Sequence, residues 1–112
     1  MRIGYVQFEP ALSRRDETLA RLERLLPAAG AADLLVLPEL CNSGYNFVSQ
    51  AQAWESSEEV GASVFVDFLA DHCRRCHRFI VSGFNERAGG SLYNAAILVG
   101  PGGPVGTYRK LH

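Results

Sequence analysis

Asp33-Leu34-Leu35-Val36-Leu37-Pro38-Glu39-Leu40 decides how this sequence is read. Four apolar residues in a row suit a strand covered on both faces, as in a parallel α/β sheet. Pro38 has no amide hydrogen to give to a ladder, so it closes the strand. Glu39 follows at once. Ligand sites in open α/β sheets collect just beyond the carboxyl ends of strands, where a partly desolvated carboxylate suits a general base. Position alone fits a surface ion pair equally well.

Upstream of this stretch, residues 3–8 form a second apolar run that Glu9-Pro10 ends, and it reads as another buried strand. Between the two, Ser13-Arg14-Arg15-Asp16 has the pattern of a capping box with Ser13 as N-cap. Leu19, Leu22, Leu25 and Leu26 then recur at helical spacing, with Arg21, Glu23 and Arg24 on the other side, until Pro27 and Gly30. Strand, helix and strand in about 35 residues make a βαβ unit, for which a right-handed crossover is expected.

Downstream, residues 41–50 read as a loop and a polar stretch continues to Glu59. Helical periodicity returns over about residues 61–78. Strands are expected at 79–84, 92–99 and 105–110, joined by turns at 86–90 and at Gly100-Pro101-Gly102-Gly103, which gives a meander. The whole is an α/β pattern with no internal repeat, low-complexity tract or linker.

Composition narrows the function classes. With 112 residues the chain is one domain at most, and 47% hydrophobic against 21% charged residues excludes wholesale disorder. Eleven Lys and Arg against twelve Asp and Glu leave a net charge of -1, so no nucleic-acid partner is expected. The N-terminal run is too short before Glu9 for a secretory signal. The longest uncharged run, 88–108, holds six of the eleven glycines plus Pro101 and Pro104, so no membrane partner is expected either. Three cysteines, an odd number, suit reduced thiols and a cytoplasmic location. Two of them, in His72-Cys73-Arg74-Arg75-Cys76-His77, have a zinc-ligand spacing. They also continue the stripe of Val64, Phe65, Phe68, Leu69 and His72, so core packing is expected and no metal site.

Further residues are candidates for chemistry. Lys110 ends the last strand and could stabilise an oxyanion beside a carboxylate, or pair at the surface. Tyr45 and Phe47 share the Glu39 loop and could line a substrate pocket or pack beneath the loop. Asn94 could orient catalytic groups or pair with backbone.

Leu37-Pro38-Glu39-Leu40, continuing Cys41-Asn42-Ser43-Gly44-Tyr45, resembles the first catalytic motif of the nitrilase superfamily of carbon–nitrogen hydrolases. Tyr108-Arg109-Lys110-Leu111-His112 resembles the second, and the Gln7-Phe8 strand end and Tyr93-Asn94-Ala95-Ala96 are similar to that family too. The resemblance runs the length of the chain in the family's order. It implies the N-terminal part of an α-β-β-α sandwich, a mixed sheet with flanking helices, so that residues 1–112 form one portion of a single hydrolase domain. It also implies a Glu–Lys–Cys triad with Glu39 as general base and Lys110 as electrostatic stabiliser, acting on a small-molecule amide, nitrile or carbamoyl substrate without a cofactor.

The family's nucleophilic cysteine belongs to a third motif, after the lysine. None of Cys41, Cys73 and Cys76 occupies that place. The expectation is therefore a fragment inactive alone, from a parent that resembles homo-oligomeric relatives. A non-catalytic binding module and a split protein completed by another chain are the alternatives.

Overall fold

The computed structural model describes residues 1–110; Leu111 and His112, the last two residues of the second motif, lie outside the described residues. Elements follow in the order β1 (Ile3–Tyr5), α1 (Arg15–Leu25), β2 (Leu34–Val36), α2 (Gln50–Glu55), α3 (Val64–Cys76), β3 (Phe79–Ala88), β4 (Ser91–Gly100) and β5 (Gly103–Arg109), with 3₁₀ turns at Leu26–Ala29 and Val60–Ala62. The strands form one mixed sheet in the order β1-β2-β3-β4-β5. β1, β2 and β3 are parallel neighbours, with Ile3, Leu34 and Phe79 in register. β3, β4 and β5 form the antiparallel meander expected from the turn residues.

β3 runs to Ala88, further than its apolar residues indicate. Ala88 pairs with Ser91, which leaves Gly89 and Gly90 as the two loop residues. Both have positive φ, 57° and 81°, the geometry a tight hairpin needs and glycine supplies without strain. Between β4 and β5 the register slips: Val99 pairs with Pro104 but Leu98 with Gly106. Val105 is thus the extra residue of a β-bulge. Every later β5 side chain is turned to the opposite face from the one it would otherwise take.

The two sheet faces differ. Leu35, Leu37, Ile80, Phe84, Ile97 and Val99 point to one of them, where they meet Leu22 and Leu26 from α1 and its extension and Phe65, Val66, Leu69 and Cys73 from α3. The Phe65 and Phe84 rings stack 6.2 Å apart. Neither helix packs on the other face. There Ile3 is 66% exposed, Tyr5 75%, and Val36 and Phe79 about as open as surface residues. The expectation that the first two strands are covered on both sides is corrected: an unbroken apolar run tells that both faces suit a dry environment, and this chain covers one.

The helix ends also differ from expectation. α1 starts after Arg14, and Ser13 does not cap it. Ser13 sits at φ 54°, donates its amide to the Ser43 carbonyl and shares a hydrogen bond with the Ser56 hydroxyl. It is drawn against the loop that follows Glu39, and Thr18 takes up the nearby Ala11 amide instead. α3 starts as sequence rules dictate, with the Ser63 hydroxyl accepting from the Val66 amide. It ends at His77 in the left-handed conformation. α2 lies within the stretch read as a polar loop, capped by Ser49. Among the described residues no helix is long and apolar enough to cross a membrane.

Candidate active site

β2 ends at Val36 and the chain turns across the middle of β3, at Val81 and Gly83. The Leu37 amide donates to the Val81 carbonyl, the Gly83 amide to the Pro38 carbonyl, and the Cys41 amide to the Gly83 carbonyl. These bonds lay the Glu39 backbone directly on Gly83. A side-chain carbon at Gly83 would overlap the Glu39 Cα, the Leu40 nitrogen and the Pro38 oxygen. Glycine is required there by close approach. Leu40 then adopts φ 47°, a left-handed conformation unfavourable to a branched side chain. Strain of this kind persists where the surroundings over-determine the backbone, as the ladder bonds to Gly83 do.

Lys110 reaches the same place from the far side of the meander. Its amide donates to the Asn94 carbonyl, so Lys110 continues the β4–β5 ladder and shares a face with Asn94. On that face the Asn94 amide donates to Glu39 Oε1 at 2.7 Å and the Lys110 ammonium lies 3.3 Å from the same oxygen. Residues 39, 94 and 110 thus converge on one carboxylate, at the mouth of a cleft of about 340 Å³ lined also by Val36, Val81, Ala96 and Tyr108. The cleft opens on the uncovered face. Glu39 and Lys110 are each more than half exposed. The Asn94 hydrogen bond and then the Lys110 bond hold the Glu39 carboxyl below its ordinary range, against a smaller opposing effect of burial. At neutral pH the carboxylate is ionised and able to accept a proton.

Tyr45 and Phe47 are not among the residues lining this cleft; Tyr45 is half exposed and Phe47 partly buried further along the loop. Tyr108, from the second motif, lines it instead. A larger open groove of about 700 Å³ lies between the start of α1 and α2. Its charged residues are the solvated ends of those helices.

The cysteines are elsewhere. Cys41 is fully buried among the core residues beneath the sheet, and burial pushes its thiol up to about 12. Cys73 is also buried and is pushed up to about 11 for the same reason. Cys76 is exposed at the end of α3. The two buried thiols are protonated near neutral pH and face away from Glu39.

Sequence reasoning missed a polar network that braces both motif segments. Asn85 and Glu86 are buried although they follow the apolar part of β3. Asn42, three residues after Glu39, pairs with Asn85 as a strand would: its amide donates to the Asn85 carbonyl at 3.2 Å and its oxygen accepts from the Asn85 amide at 2.7 Å. Asn42 also donates to the buried Glu58 carboxylate at 3.1 Å. Glu58 further accepts from the Ser63 hydroxyl and the Phe65 amide at the start of α3, and Arg15 of α1 lies 3.2 Å away. A backbone bridge joins Glu58 to Glu86. Glu86 in turn accepts both arms of the Arg109 guanidinium, at 2.9 and 3.2 Å. Nothing in period or composition separates the buried Glu58 from its exposed neighbour Glu59.

Comparison with known proteins places the sequence and the fold. The family model described as carbon-nitrogen hydrolase matches residues 2–112. A nitrilase of Pyrococcus abyssi is 37% identical over 114 residues, covering 100% of this chain and 44% of that protein. An (R)-stereoselective amidase of a Pseudomonas species is 38% identical over 117 residues, covering 100% of this chain and 40% of that protein. Among solved structures, an N-terminal amidase superposes with TM-score 0.85 at 22% identity, over 96% of this chain and 28% of its own. A CN-hydrolase superfamily protein of Xanthomonas campestris superposes with TM-score 0.84 at 25% identity, over 100% of this chain and 41% of its own. The chain spans less than half the length of the curated relatives it matches.

Proposed function

The chain belongs to the carbon–nitrogen hydrolase family, and from that premise we propose that it supplies the base and the cation of a thiol-dependent hydrolase of non-peptide carbon–nitrogen bonds, with an amide, nitrile or carbamoyl compound as substrate. The observation that carries this reading is the convergence of Glu39, Asn94 and Lys110 on the uncovered face of the sheet. None of this chain's three thiols is placed to act, since two are buried and protonated and the third sits on α3. The nucleophile is a cysteine from sequence beyond these 112 residues, carried on a layer that covers the open face. The 112-residue chain is therefore inactive alone.

Each residue has a definite task. Glu39, ionised, takes the proton of the incoming thiol; the thiolate attacks the substrate carbon. Negative charge develops on the substrate oxygen or nitrogen, and the Lys110 ammonium, beside Glu39, stabilises it. For an amide, protonated Glu39 returns its proton to the leaving amine, and a thioester remains. Water then gives its proton to Glu39, attacks the thioester, and releases the acid and the thiol. Asn94 fixes the Glu39 carboxylate by donating to it throughout. A covering layer would exclude water and strengthen both interactions.

Ammonia release from a panel of simple amides and nitriles tests this reading, with the complete reading frame and the 112-residue chain run side by side. The complete protein is expected to turn over at least one of them. Glu39→Gln and Lys110→Met in it, and the 112-residue chain itself, are expected to be inactive. Turnover by the short chain that Cys41→Ala abolishes would overturn the proposal, and so would full activity of Glu39→Gln.

A further inference from the structure

Arg109 and Lys110 are consecutive, yet they serve opposite faces of the sheet. Lys110 lies with Asn94 on the open face. Arg109 pairs with Ala95, a buried residue of the helix-covered face. There its guanidinium forks onto Glu86 and lies 3.9 Å from the centre of the Tyr93 ring. The Glu86 carboxylate is almost wholly buried, its side chain 8% exposed. A planar fork onto a desolvated carboxylate, stacked on an aromatic face, is the most restrictive geometry an arginine has. The need for restraint is plain from the topology. β5 is an edge strand, β4 is its single partner, and its residues 104–109 are exposed on average. Lys110 itself has a flexible stem and a contact with Glu39 that is too exposed to order the strand end by itself.

We propose that the Arg109–Glu86 clamp is the device that positions Lys110 against Glu39, with Arg109 and Glu86 acting as positioning residues through the backbone of β5. This rests on the reading of Glu39 and Lys110 as a working pair, and it adds what aims the cation. Glu86 is also bridged through its backbone to Glu58, whose carboxylate holds Asn42 of the Glu39 loop. The two motif segments are thus braced from neighbouring points on β3.

The test follows the Glu39 carboxyl by carbon-13 NMR titration in the complete protein, assigned with Glu39→Gln, with Lys110→Met as the benchmark for a lost cation. Lys110 is the one charged side chain within reach of Glu39 among the described residues, so its departure should raise the midpoint. In Arg109→Ala the midpoint is expected to rise to the Lys110→Met value. A midpoint that stays at the wild-type value while thermal stability falls would show a merely structural clamp and overturn the proposal. Should Arg109→Ala not fold, Glu86→Gln keeps the side chain's shape but weakens the fork, and the same two outcomes decide. The titration needs no turnover, so a complete protein that hydrolyses no amide or nitrile would sink the proposed reaction and leave this measurement standing.

Discussion

β3 carries two chemistries on its two faces. Ile80, Ser82 and Phe84 are fully buried against α1 and α3, whereas Phe79, Val81 and Gly83 look out on the open face where Glu39 and Lys110 meet. The covered face is held by apolar area and packing. The open face is held by main-chain bonds, one glycine and a few exposed polar contacts. Stability and chemistry are therefore separable on this strand, by alternate residues.

Breaking the comparison outright takes one substitution. Lys110→Met removes the cation from the open face, where it meets Glu39, and leaves the packing of the covered face whole. Activity of the complete protein should fall on the order of a hundredfold to a thousandfold, the scale for losing an oxyanion-stabilising group. Steady-state kinetics, with circular dichroism to show an intact fold, checks this; near-normal activity would mean that the cation on the open face is dispensable.

Next in size is the core itself. Phe84→Ala opens a cavity beside Phe65 and should cost about 3–5 kcal/mol, while Val81→Ala on the other face should cost under about 1 kcal/mol. Urea unfolding of the two variants of the 112-residue chain measures the contrast, and equal losses would refute the one-sided core. Gly83→Ala falls between them. Its methyl group must displace backbone, a cost of about 1–3 kcal/mol, and it should remove activity from the complete protein by pushing Glu39 off its site. A Gly83→Ala enzyme with wild-type kcat would show that the close approach is dispensable.

The smallest effect sharpens the contrast from the core side. His72 is buried on α3, 3.3 Å from the Arg78 guanidinium and 3.9 Å from the Cys76 sulfur. Burial first, then the Arg78 and Arg75 charges, push its pKa below 6.5; Asp71 opposes them. The folded protein thus binds the His72 proton less readily than the unfolded chain does. Its stability contribution is complete above about pH 6.5, declines as pH falls through the folded pKa, and levels off below it. Melting temperature against pH should show this decline in wild type and a shallower one in His72→Gln. Parallel profiles would exclude His72 as the cause. Ionisation of Glu39 on the open face should leave that window almost untouched.

The legible parts of the molecule were those with a period or a stop signal. Pro38 after four apolar residues marked the strand end that presents Glu39, and the glycine-rich turns marked the meander that returns Lys110. Neither signal exists for α2, whose Gln50–Glu55 sequence has no apolar stripe and no buried residue. Asn42, Glu58 and Glu86 were illegible for a different reason: a buried polar residue is defined by partners distant in sequence, here up to 43 positions for Asn42 and Asn85. The failed capping box at Ser13 has the same origin, since tertiary contacts to Ser43 and Ser56 override a local preference.

The junction in β3 between a parallel and an antiparallel half has a consequence for the order in which the molecule assembles. β3, β4 and β5 close by turns of two residues, so their contacts are local and form early; β1 and β2 depend on crossovers that must close long loops first. Glu39 and Lys110, 71 residues apart, are consequently joined by two separate folding events that meet at Gly83. Pulse-labelling hydrogen exchange should find the β3 and β4 amides protected before those of β1, which makes the cation's strand the template and the base's loop the late arrival.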